Sequence, residues 1–341
     1  MGTSQGRAPQ LVPRQNSQQF EDDNPHTSNA PDIFTRSAET NDEGNIVQLD
    51  REDATTRCQI GRKVAEGSFS VMFAATWLSN QKEVAIKFST AQKLIPIVIQ
   101  EPRKCNSPQI RDEYRAYRAL SGCVGDGIPN VYFFGWLHLH NVLVIDLLGL
   151  SLGDLFDGCG RTFTFKTVAM IATQLLKTFQ QVHEKGWIYR DVKPDNSLVG
   201  KPSYRSANTV HVIGLGIAKL YRDPKTLQHV PHRNCRSLAG TLRYISLKAH
   251  QGHEQSRRDD LKALGNQNIK AATKEEKSAK IREKKQTTST TKLCEGFPSV
   301  EEYFNYVRKL DFKDTPDYEY LRGHFSSALR DIDDANNGTY Y

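Results

Sequence analysis

A helical segment that leads into a charged octapeptide is the feature that most restricts the possible folds of this chain. Between residues 163 and 184 apolar side chains recur at the spacing of one helix face. Soon afterwards comes the run Tyr189–Asn196, with the sequence YRDVKPDN. Side chains of this charge are rarely buried unless they are paired. The run therefore predicts a polar loop that is held at the end of a buried helix.

Strand patterns precede this helix, and further helical patterns follow it. Apolar residues on both sides of Gly67 indicate a hairpin, and two more strands are predicted at Val84–Phe88 and Asn141–Leu147. A helix is predicted at Arg111–Leu120. This order predicts an α+β chain with two lobes, a small β-rich N-lobe and a larger, mainly α-helical C-lobe.

The two ends of the chain differ in composition from the part between them. Residues 1–54 are polar and contain too few apolar side chains to offset the entropy of ordering. We therefore predict a disordered N-terminal tail at 1–54, a folded domain at 55–330 and a short C-terminal tail at 331–341. The N-lobe would cover about 55–146 and the C-lobe about 149–330. Whether the N-terminal tail docks partners or has no specific role stays open.

Charge and cysteine content restrict the partners and the compartment. The 341 residues include 46 basic and 39 acidic ones, and the net charge of +7 favours anionic partners but is too scattered to indicate nucleic acid. The six cysteines form no CxxC pair, so we expect reduced thiols and a cytoplasmic or nuclear location. No apolar stretch approaches the roughly 20 residues that span a bilayer, and no membrane anchor is expected. The oligomeric state is left open.

A lysine at the end of a strand is the first candidate for chemistry. Lys87 ends the sequence VAIK, a pattern whose lysine holds the α- and β-phosphates of a nucleotide in protein kinases. Such a lysine needs a glutamate partner on the following helix, and Glu113 lies there.

The octapeptide supplies the remaining groups that phosphoryl transfer needs. It matches the catalytic-loop pattern of protein kinases with tyrosine in place of histidine. In that pattern Asp191 accepts the proton of the substrate hydroxyl, and Asn196 holds a magnesium ion. Lys193 would stabilise the γ-phosphate.

With these motifs, the chain resembles the casein kinase I family over roughly Thr55–Arg330. Several stretches beyond the general kinase motifs carry this resemblance. They are Arg111–Leu120, Ile128–Tyr132, Val144–Leu148, His183–Lys185, Tyr189–Asn196, Tyr221–Pro224, Gly240–Ser246, Glu254–Leu261, Glu283–Lys285 and Thr315–Tyr318.

The resemblance implies a serine/threonine protein kinase that uses ATP and Mg²⁺, with a hinge for adenine at Asp146–Leu148. Besides Lys87 and Glu113, it implies a set of residues around the nucleotide. They are Val64, Gly67, Met72, Ala85, Asp146, Leu148, Leu198 and Ile213. It also implies protein substrates that are acidic or already phosphorylated, because Arg and Lys pair well with phosphate. Arg233 and Lys270 match the positions of that anion site, although each is also compatible with a solvated surface charge.

The sequence departs from the family at the metal-binding position. Gly214-Leu215-Gly216 stands where the family has Asp-Phe-Gly, which leaves Asn196 as the predicted metal ligand. The missing carboxylate normally coordinates magnesium, and charge stabilisation through a metal is worth several kcal/mol. Because each ~1.4 kcal/mol is tenfold in rate, we expect a loss of activity of roughly a thousandfold or more.

The glycine-rich loop over the phosphates is also altered. It keeps only its middle glycine, Gly67, while Ala65 and Ser70 replace the other two. Side chains there hinder the close approach of backbone to phosphate, so we expect looser nucleotide binding.

Two changes in length complete the departures. Residues 89–100 form an insert that contains the apolar run Leu94–Ile99. The helix that includes Asp260 lacks its apolar continuation after Gly265. Each lost buried side chain removes roughly 1.5–3 kcal/mol, so we expect a less stable C-lobe.

Three interpretations follow. The first is a casein kinase I-like kinase with impaired activity, and the second is a pseudokinase that acts through protein contacts. The third concerns Lys270–Lys285 alone, as an anion-binding or nuclear-localisation segment; such mixed charge is more often a solvated helix face.

Overall fold

In the computed structural model, the described strands and helices lie within Asn45–Tyr341. The described residues are 46–51, 54–67, 70–89, 109–123, 127–138, 140–202, 206–234, 239–265, 283, 285–287, 289 and 298–331. Most of the predicted N-terminal tail, residues 90–100 of the insert, Lys270 and the residues from 266 to 282 lie outside them.

The small lobe is a closed, antiparallel barrel with the strand order β1-β2-β3-β4-β6-β5. Its strands are β1 (Ile46–Arg51), β2 (Ala54–Glu66), β3 (Ser70–Trp77), β4 (Lys82–Ser89), β5 (Val131–Leu137) and β6 (His140–Asp146). Alternate residues of β4 and β6 point inward, and Val84, Ile86, Val142 and Val144 are buried in the barrel core. The predicted hairpin and both predicted strands are confirmed.

Strand β1 corrects the N-terminal boundary. Residues 46–51 fall within the predicted tail, but they pair with β2 over six positions, and Leu49 is fully buried. The tail prediction is therefore wrong for this stretch. The cause is that Ile46, Val47 and Leu49 form a pattern too short to stand out beside a long polar segment.

The large lobe is built mainly from helices around α3. The described helices are α1 (Gln109–Ala119, beside the barrel), α2 (Leu152–Gly158), α3 (Phe165–Glu184), α4 (Leu247–His250), α5 (Arg257–Gly265), α6 (Pro298–Lys309) and α7 (Tyr318–Asp331). Thr164 caps α3 by accepting a hydrogen bond from the amide of Thr167 at 3.2 Å. One face of α3 packs with α5, α6 and α7 through Leu176, Leu261 and Phe325. The predicted two-lobed α+β fold is confirmed.

Short strands and turns at the other face of α3 carry the candidate site. The paired strands are β7 (Trp187–Ile188) with β10 (Lys219–Leu220), and β8 (Ser197–Val199) with β9 (Val210–Val212). A core cluster that includes Tyr117, Leu143, Phe179 and Tyr189 connects α1 and β6 of the small lobe to the large lobe. The two lobes therefore share a packed core behind the site.

Within the described residues, no helix is both long and apolar enough to cross a bilayer.

Candidate active site

An ion pair links strand β4 of the barrel to helix α1. Lys87 Nζ on β4 donates to Glu113 Oε2 on α1 at 2.6 Å, as the sequence predicted. Glu113 is only 2% exposed, and its second oxygen has no hydrogen-bond partner among the described residues. The carboxylate therefore depends on Lys87 for compensation of its charge, and the pair fixes the ammonium group in place.

Asp191 is the centre of a hydrogen-bonded cluster in the catalytic loop, residues 189–196. Its Oδ2 accepts from Asn196 Nδ2 at 2.8 Å and lies 3.0 Å from Lys193 Nζ. Its Oδ1 accepts from Thr241 Oγ1 at 2.7 Å, and Thr241 in turn accepts from Lys193 at 3.2 Å. The structure thus brings the three predicted catalytic residues together, and it adds Thr241.

A buried carboxylate anchors this loop to the large lobe. Asp260 on α5 is 1% exposed and accepts hydrogen bonds from the amides of Tyr189 at 2.7 Å and Arg190 at 2.8 Å. His183 Nε2 on α3 lies 2.8 Å from the same carboxylate. These contacts hold Arg190 at φ +69°, a left-handed conformation that most side chains avoid.

Tyr189, which replaces the usual histidine, has a specific contact of its own. Its hydroxyl donates to the carbonyl of Ile213, and the amide of Ile213 donates to the carbonyl of Asn196 at 3.0 Å. Burial, and secondly the charge of Asp191, raise the pKa of Tyr189 well above its usual value. The hydroxyl therefore stays protonated and serves as a donor.

The segment Ile213–Ile217, called here the glycine turn, occupies the metal-binding position. Gly214 has φ +78°, and Leu215–Ile217 form a single 3₁₀ turn with Leu215 fully buried. A Cβ atom at position 214 would lie 3.3 Å from Nδ2 of Asn196. A side chain at this position would therefore be directed at Asn196, and aspartate is among the residues that tolerate a positive φ. Glycine supplies no carboxylate there.

The predicted hinge residue Asp146 uses its side chain elsewhere. Its Oδ2 accepts from the amide and the side chain of Asn130 at 2.7 and 2.9 Å, and its Oδ1 accepts from Tyr132. Lys82 Nζ lies 3.7 Å away. The carboxylate therefore braces the hinge, and the amide of Asp146 is likewise engaged, since it donates to the carbonyl of Asn130 at 3.2 Å.

The other predicted nucleotide-contacting residues lie on both lobes. In the small lobe they are Val64 on β2, Gly67 in the following turn, Met72 on β3 and Ala85 on β4. In the large lobe they are Leu198 on β8 and Ile213 in the glycine turn, with Leu148 in the segment that joins the lobes. The Gly67 turn is closed by a 2.8 Å hydrogen bond from its amide to the carbonyl of Ser70, and Ala65 pairs with Met72 in the flanking strands.

Comparison with known proteins identifies the family. A model described as "Protein kinase domain" matches residues 58–327. This chain belongs to the protein kinase family. The kinase is 50% identical to casein kinase I homolog 2 of Schizosaccharomyces pombe over 295 residues, which cover 83% of the chain and 65% of that protein. It is 51% identical to casein kinase I homolog 1 of the same organism over 284 residues, or 80% and 60% of the two chains.

The Saccharomyces cerevisiae casein kinase I homolog 2 is 44% identical to this kinase over 330 residues, or 93% and 56% of the two chains. These similarities confirm the resemblance to casein kinase I. The chain spans only 56% to 65% of the length of these relatives.

The residues present do not fit a complete magnesium site. Magnesium prefers several oxygen ligands, usually including a carboxylate. Asn196 offers one amide oxygen, while both oxygens of Asp191 already accept hydrogen bonds from Thr241 and Asn196. No group of three or more His, Cys, Asp or Glu residues suited to a metal occurs in the described part of this kinase. The residues suit nucleotide phosphates better, because Glu113 holds the Lys87 ammonium in place.

The predicted substrate-anion site is only half described. Arg233 is exposed, and its carbonyl accepts from the amide of Glu254 at 2.9 Å. Lys270 lies outside the described residues. Lys285, at the end of the basic segment, donates to the carbonyl of Ile245, and burial lowers its pKa to about 7. The prediction of a solvated face is therefore wrong for Lys285.

Sequence reasoning missed three functional groups of this kinase. Thr241, Asp260 and His183 position the catalytic loop, although none was predicted as a site residue. All three fall within stretches that carried the family resemblance, which was the available signal. Their roles depend on contacts between distant parts of the chain, which a single sequence does not reveal.

Proposed function

We propose that this chain is a casein kinase I-like protein serine/threonine kinase that transfers the γ-phosphate of ATP to protein Ser or Thr at a reduced rate. The arrangement of Asp191, Lys193, Asn196 and Thr241 carries the proposal. An aspartate surrounded by cationic and amide donors, on a loop anchored to a buried carboxylate, is suited to positioning an acceptor hydroxyl.

Each residue has a role in this reaction. Asp191 orients the acceptor hydroxyl and takes its proton as the oxygen attacks the γ-phosphorus. Lys193, 3.0 Å from Asp191, stabilises the negative charge that spreads over the transferred group. Lys87, oriented by Glu113, neutralises the α- and β-phosphates of ATP, and ADP leaves as the other product.

Gly214 is the reason for the reduced rate in this proposal. The charge stabilisation that a metal-bound carboxylate supports is worth several kcal/mol, which corresponds to roughly a thousandfold in rate. No step of the proposed reaction depends on a metal held at position 214.

The test is phosphate incorporation from labelled ATP into an acidic peptide, with either Mg²⁺ or Mn²⁺ present. The matched control is Asp191→Asn, which keeps the shape of the side chain but removes the base. Incorporation that exceeds the control by about 100-fold or more is expected, because a general base contributes 10²–10⁴-fold. Wild-type incorporation equal to that of the control contradicts the proposal.

Gly214 also favours a second candidate, a pseudokinase that acts as a protein-interaction module. This candidate predicts incorporation at the level of the Asp191→Asn control in both metals. An ATP-dependent rise in the thermal unfolding midpoint would then identify a nucleotide-binding pseudokinase. Its absence would identify a module that works without nucleotide.

The proposed substrates are proteins that are acidic or already phosphorylated near the acceptor, in the cytoplasm or nucleus. The exposed guanidinium of Arg233 supports this preference, because guanidinium groups form paired hydrogen bonds with phosphate. A peptide pair that differs only by one phosphoserine near the acceptor measures it. Equal rates for both peptides would contradict the preference.

A further inference from the structure

The stretch Thr315–Tyr318 is part of the resemblance to casein kinase I but lies far from the catalytic loop in the sequence. It ends at the first residue of α7, where Tyr318 is 6% exposed. The side chain of Asp317 accepts from the amide of Tyr320 at 2.9 Å, and its own amide donates to the hydroxyl of Tyr306 at 2.8 Å. These local contacts fix the start of the helix and, with it, the position of Tyr318.

The side chain of Tyr318 reaches the ring of a buried histidine. Its hydroxyl is hydrogen-bonded to Nδ1 of His183 on α3, which is 2% exposed. Burial raises the pKa of Tyr318 above its usual value, so the hydroxyl stays protonated. At the other end of the ring, Nε2 lies 2.8 Å from the carboxylate of Asp260, which only accepts hydrogen bonds when it is ionised. Nε2 therefore carries the hydrogen of the neutral ring, and Nδ1 accepts from Tyr318.

Asp260 connects this pair of side chains to the catalytic loop. Its Oδ2, which accepts from His183, also accepts from the amide of Tyr189 at 2.7 Å, and its Oδ1 accepts from the amide of Arg190 at 2.8 Å. Arg190 directly precedes Asp191 and has a positive φ, a conformation that persists only where surrounding contacts hold it. Because both oxygens belong to one planar group, an Nε2 donor that is no longer fixed loosens both amides.

We propose that Tyr318 is a positioning residue of this kinase, which holds the ring of His183 in the orientation where Nε2 donates to Asp260. Three buried side chains thus connect the start of α7 to the catalytic loop. In this role Tyr318 acts through the ring and not on the reacting groups. Its influence on the transfer rate rests on the proposed function, whereas its influence on the two loop amides does not.

The test compares Tyr318→Phe with Tyr221→Phe in the full chain. Both variants remove a buried hydroxyl that contacts His183, but the hydroxyl of Tyr221 donates to the backbone carbonyl of His183, at 2.8 Å, and not to its ring. Tyr221 also accepts from Arg257 at 3.1 Å, so its loss should lower the overall stability at least as much. The control therefore separates the loss of ring orientation from a general loss of stability.

Hydrogen exchange of single backbone amides is the first measurement. Tyr318→Phe should speed exchange at Tyr189 and Arg190 about tenfold more than at Val212, a reference amide that is hydrogen-bonded to another carbonyl at 2.8 Å. In Tyr221→Phe, all three amides should change by the same factor. The inference is wrong if Tyr318→Phe affects the three amides equally, or if Tyr221→Phe gives the selective change.

The second measurement is kinetic and uses His183→Gln. Glutamine can donate from its amide to Asp260 in place of Nε2, but it has no ring for Tyr318 to orient. Tyr318→Phe should lower kcat about tenfold and leave the KM for ATP unchanged, because Lys87 of the small lobe holds the phosphates. In the His183→Gln background the same change should lower kcat less than about twofold. Equal effects in the two backgrounds would contradict an action through the ring.

The two measurements distinguish a failure of this inference from a failure of the proposed function. Wild-type transfer no faster than that of the Asp191→Asn control overturns the proposed function, and amide exchange at Tyr189 and Arg190 then decides the inference by itself. Where the wild type does transfer phosphate, an unchanged kcat in Tyr318→Phe overturns the positioning role.

Discussion

The catalytic loop and the glycine turn lie side by side, but only the loop has kept the groups that the chemistry needs. Asp191, Lys193 and Asn196 form one connected cluster, whereas Gly214 offers no side chain to it. Even so, the glycine turn keeps an ordered path, with Leu215 buried and the amide of Ala218 bonded to the carbonyl of Leu215 at 3.0 Å. The path of this backbone is therefore set by its buried anchors and not by the catalytic side chain.

The two segments also depend on different lobes. Asp260 of the large lobe holds the catalytic loop. The glycine turn instead packs against α1, beside the small lobe. A Cβ atom at Gly216 would lie 3.3 Å from the carbonyl oxygen of Gln109 and 3.7 Å from Glu113 Oε2. Movement of α1 would thus disturb the glycine turn before it disturbs the catalytic loop.

Restoring the carboxylate should produce the largest effect. Gly214→Asp is expected to raise the rate of phosphate transfer by roughly a thousandfold, because it returns a metal-binding carboxylate beside Asn196. Transfer from labelled ATP in Mg²⁺ measures it. Gly214→Asn, of the same size but without the charge, is the control and should gain much less. A gain below about tenfold for Gly214→Asp would show that the missing carboxylate is not what limits this kinase.

The second-largest effect is expected when α1, which supports the glycine turn, loses its ion pair. Lys87→Met leaves the buried carboxylate of Glu113 without its cation and should lower the free energy of unfolding by about 3–5 kcal/mol. Denaturant titration measures this loss. The double variant Lys87→Met/Glu113→Gln should recover a large part of it, since no charge is then left unpaired. If the single and double variants are equally unstable, the ion pair is not what holds α1.

The hydrogen bond between Tyr189 of the catalytic loop and Ile213 of the glycine turn should contribute less to stability. Tyr189→Phe removes the hydroxyl that donates to the Ile213 carbonyl and should lower the free energy of unfolding by about 1–2 kcal/mol. Tyr303→Phe is a matched control, because its buried hydroxyl also donates to a carbonyl, that of Leu261. Both variants should lose similar stability, but only Tyr189→Phe should also slow transfer. A lower transfer rate in both variants would show that the loss of stability, and not this particular contact, slows the reaction.

The smallest effect is expected at the surface. Glu83 on β4 pairs with Lys201 of the large lobe, and both side chains are partly exposed. Glu83→Gln should therefore change the free energy of unfolding by less than about 1 kcal/mol. Asp112→Asn, which breaks an exposed pair with Arg115 within α1, is the control. ATP affinity should shift a few-fold only for Glu83→Gln, and a shift in both would exclude a specific role for this contact between lobes.

The parts of the fold and of the site that depend on local sequence patterns could be predicted from the sequence. Strand β4, helix α3 and the pairing of Lys87 with Glu113 were all readable from periodicity and motif spacing. Strand β1 was not predicted, because its few apolar residues can be recognised as a strand only once they pair with β2 and close the barrel.

Contacts between distant residues account for what else was missed in the site. Asp260 looks like one helix-starting acid among several until the fold brings it to the amides of Tyr189 and Arg190. Lys285 likewise belongs to a charged segment, and only the fold shows that it reaches the carbonyl of Ile245. Such roles arise from burial, which composition alone does not specify.

The closed barrel of the small lobe has a consequence for self-association. Strands β1 and β5 close the barrel at one residue pair, Asp50 with Trp136, and unpaired edges are the usual templates on which another chain adds as a strand. The run Leu94–Ile99 is apolar and rich in β-branched residues, the kind of sequence that seeks such pairing. Because β1 and β5 are short strands joined at that pair, they offer the run little free edge, so cross-β nuclei of this protein should form between copies of the run itself, and Pro96 limits their growth.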